Sequence, residues 1–213
     1  YYLNGLLLET GGDQLRAVAT DGHRLALCQA GLAAPVEEQQ VIVPRKGVLE
    51  LQRLMSGDGE LDIQLGANHI RIQLDGIRFT SKLIDGRFPE YQRVIPRESA
   101  NELKADRGAF QGALQRTAIL SNEKYRGIRL VIRDSGVVLQ AHNPEQEEAE
   151  EELEVEYSGE DIEIGFNVNY LLDAIGAVDG ESITLSVLDS NSSCLIREPG
   201  NDSSKFVVMP MRL

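Results

Sequence analysis

Histidine and aspartate side chains are the first candidates for chemistry in this sequence. His23 lies two residues after Asp21 in TDGHRLA, and an Asp–His pair can orient an imidazole for general-base catalysis. The nearby sequence supplies no nucleophile for such a base, and Asp-Gly is first of all a turn signal. His69 and His142 have no partner at a spacing that suits metal ligands. We therefore predict no catalytic residue, no metal and no cofactor, with an enzyme that uses Asp21 and His23 as an alternative.

Glycine and cysteine positions argue against other common kinds of site. The sequence has neither of the two common Gly-rich phosphate loops nor a Gly-x-Ser-x-Gly elbow, and we interpret Gly11-Gly12 as a hairpin turn. Cys28 and Cys194 each lie in an apolar, strand-like stretch with no second ligand at metal spacing. We expect two small buried side chains and no disulfide. This cysteine usage fits a reducing cytoplasm.

The acidic charge of the chain is concentrated in one segment. The sequence has 21 basic and 34 acidic residues, a formal net charge of −13, which argues against a surface that binds phosphate backbones everywhere. Eight glutamates and no basic residue lie between Glu145 and Tyr157. Because Ala149, Leu153 and Val155 alternate with these glutamates, we predict a strand with one acidic face. Such a strand is either a solvated sheet edge or a specific subunit interface, and both alternatives stay open.

The C-terminal end is unusually apolar. Six of the last seven residues, Val207 to Leu213, are apolar, whereas chain ends are ordinarily polar and frayed. Pro210 cannot donate to a strand ladder, so we predict a core strand that ends at Val208 and a surface segment from Met209 onward. Two methionines around a proline suit an adaptable surface that accepts different partners. We predict that this tail forms part of a docking groove for partner peptides.

The elements that must position these residues are mostly strands. Alternation of apolar and polar residues, with turn signals between the runs, predicts strands at 68–75, 77–83, 128–133, 137–141, 182–188, 192–198 and 204–209. Apolar residues at helical spacing predict helices at 45–55, 106–120 and 167–178, the last two with Asp106 and Asn167 as N-caps. This pattern is typical of an α+β fold with antiparallel sheets. A β-rich oligomerisation module is therefore a second alternative.

Both halves of the sequence share one layout, in which a strand leads into a helix and then into a meander of strands. This layout indicates an internal duplication. The natural joint lies in FPEYQRVIP, and we predict domains at 1–92 and 93–213. The chain opens on Tyr1 without a leader and has no apolar run of about 18 residues, so we expect a fragment of a longer protein with no membrane span.

Eight segments in order carry a resemblance to a known family. They are YYLNG, VATDGHRLA, VPRKGV, FTSKLIDGRFPEYQRVIP, AILSNEKYRGIRL, NPEQEEAEE, GFNVNYLLDA and VVMPMRL. Together they resemble the bacterial replicative DNA polymerase sliding clamp, the beta subunit. That resemblance implies the clamp fold, with antiparallel sheets outside and short helices inside a head-to-tail dimeric ring around duplex DNA. The chain would cover the second part of the middle domain and the whole C-terminal domain, and would not close a ring by itself.

The same resemblance implies a hydrophobic groove that binds short linear peptides. The positions that match it are Leu3, Thr20, Gly22, His23, Arg24, Leu25, Pro89, Arg93, Val94, Asn167, Tyr170, Ser193, Val207, Val208, Met209, Pro210, Met211 and Arg212. The partners would be replicative and translesion DNA polymerases, the clamp loader and mismatch-repair proteins. The protein itself would be a non-catalytic processivity factor of the cytoplasm, associated with the nucleoid.

The resemblance also implies contacts to DNA and to a second subunit. Tyr1, Tyr2, Arg45 and Lys46 match positions that touch DNA without sequence preference. The residues that match the dimer interface are Arg116, Ile119, Leu120, Glu145, Glu147, Glu150 and Glu151. An acidic exterior with a locally basic bore is consistent with the net charge.

Overall fold

The computed structural model describes residues 2–55, 57–97 and 101–213, and these form an α+β fold of antiparallel strands with three α-helices. The strands are β1 Gly5–Thr20, β2 Arg24–Pro44, β3 Asp62–Leu65, β4 His69–Leu74, β5 Ile77–Lys82, β6 Glu102–Asp106, β7 Gly127–Arg133, β8 Gly136–His142, β9 Glu148–Glu154, β10 Ile162–Asn167, β11 Ser182–Ser186, β12 Cys194–Arg197 and β13 Ser204–Val208. The helices are α1 Arg45–Leu54, α2 Arg107–Ala118 and α3 Val168–Gly176, and short 3-10 helices occupy Tyr2–Asn4 and Tyr91–Arg93. Every strand and helix named from the sequence is confirmed, with ends that differ by one or two residues.

The chain divides into two compact units. The first unit comprises Tyr1–Asp21 and Leu27–Tyr91, and the second comprises Gly22–Ala26 and Gln92–Leu213. The short segment Gly22–Ala26, which includes the start of β2, therefore belongs with the C-terminal residues although it lies early in the sequence.

In the first unit, a buried cluster fills the space between α1 and the strands. Strands β3, β4 and β5 form an antiparallel sheet in that order, and β1 is a neighbour of β2. The β4–β5 hairpin turns at Asp75-Gly76, where both residues have positive φ, as that turn signal predicts. The core consists of Leu8, Val43, Leu51, Ile70, Ile72, Leu74 and Leu83.

One carboxylate ties together distant parts of the first unit. The side chain of Glu9 is only 14% exposed, and it accepts hydrogen bonds from Arg16 at 2.9 Å, Gln40 at 2.6 Å and the Tyr91 hydroxyl at 2.8 Å. Burial raises the pKa of Glu9, but these donors outweigh that effect and the pKa lies below its ordinary value.

The second unit holds two antiparallel sheets and the helices α2 and α3. One sheet has the order β10-β7-β8-β9, and in the other β13, β12, β11 and β6 are successive neighbours. Both predicted N-caps are confirmed, because Asp106 accepts from the Ala109 amide at 2.7 Å and Asn167 accepts from the Asn169 amide at 2.9 Å. The helices pack against each other over a large apolar core that includes Phe110 and Phe166.

The glutamate-rich segment forms β9, as its alternation predicts. Strand β9 lies at an end of its sheet and pairs with β8 along its whole length. Exposed glutamates alternate along it with half-buried residues.

One sequence prediction in the first unit is confirmed and one is wrong. Gly11-Gly12 is the predicted hairpin turn within the residues of β1, and Gly12 has a φ of 58° that glycine adopts without strain. The chain reverses there, because Arg16 bonds to Glu9 at 2.9 Å, whereas seven residues of straight strand would separate them by about 23 Å. Cys28 is exposed, whereas Cys194 is buried as predicted. Leu25 and Leu27 occupy the buried face of β2, so the alternation of the strand places Cys28 on the opposite face. Among the described residues, none of the helices combines the length and apolar character needed to cross a membrane.

Candidate functional site

Three segments that are distant in sequence meet within the second unit. They are Gly22–Ala26, helix α3 and the residues that follow β13. A backbone hydrogen bond from the Met209 amide to the His23 carbonyl, at 2.9 Å, joins the first segment to the last. Side-chain contacts to Tyr170 join the first segment to α3.

Tyr170 is the centre of these side-chain contacts. The Arg24 guanidinium carbon lies 4.4 Å from the centroid of the Tyr170 ring, and Arg24 also forms an ion pair of 2.5 Å with Asp173. The His23 ring stacks on Tyr170 with centroids 6.4 Å apart and an interplanar angle of 22°. The arrangement gives an aromatic surface bordered by one cation and one carboxylate, a combination that recurs in recognition sites.

Asp173 is a member of the site that the sequence prediction missed. It lies three residues after Tyr170 on α3, and residues three apart share a helix face. That spacing is the signal that could have identified it once Tyr170 was a candidate.

Met209 supplies the apolar part of this surface. The residue is 41% exposed, and the Ser193 hydroxyl donates to its Sδ at 2.9 Å. Leu25, Val207 and Val208, by contrast, are buried. These three side chains can support the surface from below but do not themselves present it. The predicted change from core strand to surface segment after Val208 is confirmed, since β13 ends there.

The tail beyond Met209 is held against the sheet that contains β10. The Met211 amide donates to the Gly165 carbonyl at 2.8 Å. Pro210 and Met211 are half-buried and Arg212 is exposed. The tail also forms one wall of a cleft of about 630 Å³, whose other walls include Tyr125, Arg129 and Gln140.

The remaining residues predicted for the groove fall into two sets. In the second unit, Gly22, Arg93 and Val94 are exposed, and Gly22 has a φ of 87°. Asn167 is half-buried, and its side-chain oxygen caps α3. Leu3, Thr20 and Pro89 belong to the first unit, where Leu3 and Pro89 are exposed and Thr20 is half-buried.

The residues predicted to touch DNA are only partly described. Arg45 and Lys46 form the exposed first turn of α1. Tyr1 lies outside the described residues, and Tyr2 is part of a 3-10 helix while its side chain lies outside them. Amides at a helix N-terminus and basic side chains both favour phosphate oxygens.

The predicted interface contains one exposed apolar side chain and one ion pair. Ile119 is 75% exposed, while Leu120 beside it is half-buried. Arg116 makes a two-pronged contact with Glu151 through its Nε and Nη2 atoms. This hydrogen bonding lowers the pKa of Glu151 and raises that of Arg116. The two predicted interface residues are therefore paired with each other within the chain.

The other glutamates predicted for the interface lie at or near β9. The Glu150 carboxylate accepts from the side-chain amide of Gln140 at 2.8 Å. Glu147 accepts from the side chain of Asn143 at 2.7 Å, and its own amide donates to the Asn143 side chain at 2.9 Å. Glu145 precedes them and is exposed.

The alternative of an enzyme that uses Asp21 and His23 gains no support from the geometry. The His23 ring stacks on Tyr170, and the nearby hydroxyl of Ser193 donates to the sulfur of Met209. Within residues 2–55, 57–97 and 101–213, no group of three His, Cys, Asp or Glu side chains could hold a metal ion.

Comparisons with known proteins agree with the resemblance. Residues 1–90 match the family model of the DNA polymerase III beta subunit central domain, and residues 92–212 match the model of its C-terminal domain. The chain is 56% identical to the beta sliding clamp of Pseudomonas putida, covering 100% of the chain and 59% of that relative. It is 50% identical to the beta sliding clamp of Escherichia coli, covering 100% of the chain and 58% of that relative.

Solved structures give the same result. A sliding clamp from Pseudomonas aeruginosa bound to griselimycin matches with a TM-score of 0.97 and 56% identity, covering 100% of the chain and 58% of that structure's chain. The pol III beta of Caulobacter crescentus matches with a TM-score of 0.92 and 44% identity, covering 100% and 59%. The chain thus spans somewhat under two thirds of the length of these relatives, and over that span it belongs to the family of the bacterial DNA polymerase III beta subunit, the beta sliding clamp.

Proposed function

We propose that the protein is a sliding clamp, or the greater part of one, and that it tethers partner proteins through the surface around Tyr170. The observation that carries this proposal is the convergence of Gly22–Ala26, α3 and Met209 in the second unit. Three distant segments there build one partly exposed surface from a tyrosine, an arginine and a methionine. The protein would act as a processivity factor without catalytic activity of its own.

A short linear peptide is the ligand that this chemistry suits best. Tyrosine and arginine are enriched among the residues that carry binding energy at interfaces, and charged groups at the border fix orientation. The unbranched side chain of Met209 can adapt to different apolar anchors. One surface could therefore serve several partners in turn, namely replicative and translesion polymerases, the clamp loader and mismatch-repair proteins. The assignment of Leu3, Thr20 and Pro89 to peptide binding remains a prediction from the family resemblance.

The complete protein would encircle duplex DNA as a homodimeric ring in the bacterial cytoplasm, associated with the nucleoid. Arg45 and Lys46 at the N-terminus of α1 would make phosphate contacts without sequence preference, together with Tyr1 and Tyr2. A net charge of −13 would keep the rest of the surface from binding DNA and would leave the ring free to slide. The predicted domains, 1–92 and 93–213, would be the middle and C-terminal domains of that ring.

The peptide proposal is tested by fluorescence anisotropy with a labelled peptide that carries a clamp-binding motif. The double substitution Met209→Ala and Met211→Ala should raise Kd about 30-fold, as expected when residues that carry much of the binding energy are truncated. Met55→Ala is the matched control, because Met55 is also a methionine and is 46% exposed. Unchanged binding by the double variant would refute the assignment of the surface.

The interface proposal is tested by sedimentation of the 213-residue chain. Arg116, Ile119 and Leu120, with Glu145, Glu147, Glu150 and Glu151, would face a different domain of the second subunit. We therefore expect this chain to sediment as a monomer and the full-length protein to sediment as a dimer. A stable dimer of the 213-residue chain would show that the interface has been misplaced.

A further inference from the structure

We infer that Gly127 and Gly165 are positioning residues for peptide binding, because the absence of their side chains lets the C-terminal tail lie against the sheet. This inference rests on the proposed function and extends it to two residues that do not belong to the predicted groove. Neither glycine lies within the surface around Tyr170. Both act on that surface through Met211 and Leu213, which continue from Met209 and Pro210.

Gly165 is in direct contact with the backbone of the tail. Its carbonyl accepts the Met211 amide at 2.8 Å. A Cβ atom added to Gly165 would lie 2.6 Å from the Met211 carbonyl oxygen and 2.7 Å from Leu213 Cγ. Such distances are well inside van der Waals contact, and the Met211 oxygen cannot rotate away as a side chain can. Any larger residue at this position must displace the tail backbone.

Gly127 is in contact with the last side chain of the tail. A Cβ atom added there would overlap Leu213 Cδ2, and the next nearest atom, Met211 Sδ, would be 3.7 Å from that Cβ. The conflict at Gly127 is therefore with one side chain and not with backbone. Neither Gly127 nor Gly165 has a positive φ, so close approach and not backbone conformation is the reason for glycine at both positions.

The sheet register places the two glycines beside each other. Gly127 on β7 pairs with Asn167 on β10, and Gly165 lies two residues before Asn167 on the same strand. Cross-strand partners share a face, and so do residues two apart on one strand. The glycines therefore form a shallow trough on one face of the sheet, next to its β10 end, where the tail crosses.

Two backbone hydrogen bonds fix the tail on either side of Pro210. The Met209 amide bonds to the His23 carbonyl, and the Met211 amide bonds to the Gly165 carbonyl. The first bond does not depend on the glycine trough, but the second does. Filling the trough should release Met211 and Arg212 while Met209, Arg24 and Tyr170 keep their places. Because the cleft beside the tail leaves one side of it unsupported, the released segment has room to move.

The test uses Gly127→Ala and Gly165→Ala, with Gly136→Ala as the control on the same sheet. A Cβ at Gly136 would come no closer than 3.7 Å to any neighbour, which is ordinary contact. Hydrogen exchange of the Met211 amide reports on the tail, and peptide anisotropy reports on binding. Gly165→Ala should exchange this amide faster and bind the labelled peptide about tenfold more weakly, as overpacking against backbone implies. Gly127→Ala should change both measurements in the same direction but by less, because the exposed Leu213 side chain can rotate away from the added Cβ. The control should match the unsubstituted protein in both measurements.

A second substitution separates tail displacement from general damage to the fold. Adding Leu213→Ala to Gly127→Ala removes the overlapping atom, so exchange and binding should return to the values of Leu213→Ala alone. The same addition to Gly165→Ala should leave both defects, since the Met211 carbonyl still conflicts. If the tail moves in the trough variants but the unsubstituted protein binds no peptide, the proposed function fails, and only the placement of the tail by the two glycines stands. Unchanged amide exchange in both glycine variants, or a rescue that works equally at both positions, would overturn the inference.

Discussion

Replacing Tyr170 by alanine is the most informative single perturbation of the proposed binding surface. The ring lies 4.4 Å from the Arg24 guanidinium carbon and stacks on His23. An exposed cation–π contact is worth about 0.5–1 kcal/mol, and an aromatic pair contributes about 0.5–1.5 kcal/mol. These two contacts account for about 2 kcal/mol of the free energy of unfolding that Tyr170→Ala should remove, and the lost packing of the ring against the core adds to that loss. The ion pair between Arg24 and Asp173 remains in this variant but cannot offset the lost ring contacts. Both of its side chains are substantially exposed, and such pairs contribute under about 1 kcal/mol.

A loss of this size leaves the protein folded, since domains are ordinarily stable by about 5–15 kcal/mol. Peptide binding should suffer more than folding. A tyrosine at the centre of an interface commonly costs at least about 2 kcal/mol of binding energy when truncated, so we expect Kd to rise about 30-fold. Tyr170→Phe keeps the ring and both ring contacts. It should bind within about threefold of the unsubstituted protein, a difference of under about 1 kcal/mol.

Fluorescence anisotropy with a labelled clamp-binding peptide measures Kd, and urea unfolding followed by circular dichroism measures stability. The reasoning depends on the ring and not on the hydroxyl. Equal weakening by Tyr170→Phe and Tyr170→Ala would refute it, and so would a Tyr170→Ala protein that binds as well as the unsubstituted chain.

Three further predictions follow from other parts of the chain. The pKa of Glu9 is lowered on folding, so its contribution to stability is present above its ordinary pKa and is lost as the pH falls through the lowered value. The urea midpoint of Glu9→Gln should therefore lie below that of the unsubstituted protein at pH 7, and the difference between the two midpoints should disappear at acidic pH. A difference that does not depend on pH would contradict this prediction. One thiol, that of Cys28, should react with a disulfide reagent in the native protein, and both thiols should react in denaturant, because burial raises the pKa of Cys194 to about 12. Two reactive thiols in the native protein would show that Cys194 is not buried. Removal of the N-cap in Asp106→Ala should cost about 1 kcal/mol in urea unfolding, and an unchanged midpoint would show that the cap does not stabilise α2.

The sequence by itself determined the local structure and the family. The alternation over His69–Leu74 is visible within those six residues alone, and the N-caps of α2 and α3 are short-range hydrogen bonds. Pro210 ends the last strand for a reason that concerns one residue alone. Eight ordered segments were enough to indicate the sliding-clamp family, since family identity is a property of the sequence.

Only the tertiary structure decided which distant residues meet. Arg24 and Asp173 are 149 positions apart, and no local pattern predicts their ion pair. The roles of Gly127 and Gly165 became visible only when the tail was seen against them, because a glycine needed for close approach looks in sequence like any other glycine in a strand. Cys28 is a residue for which the sequence prediction and the folded structure disagree. Its apolar neighbours suggested burial, but the face of a strand depends on what packs against it, and packing is decided by the folded chain.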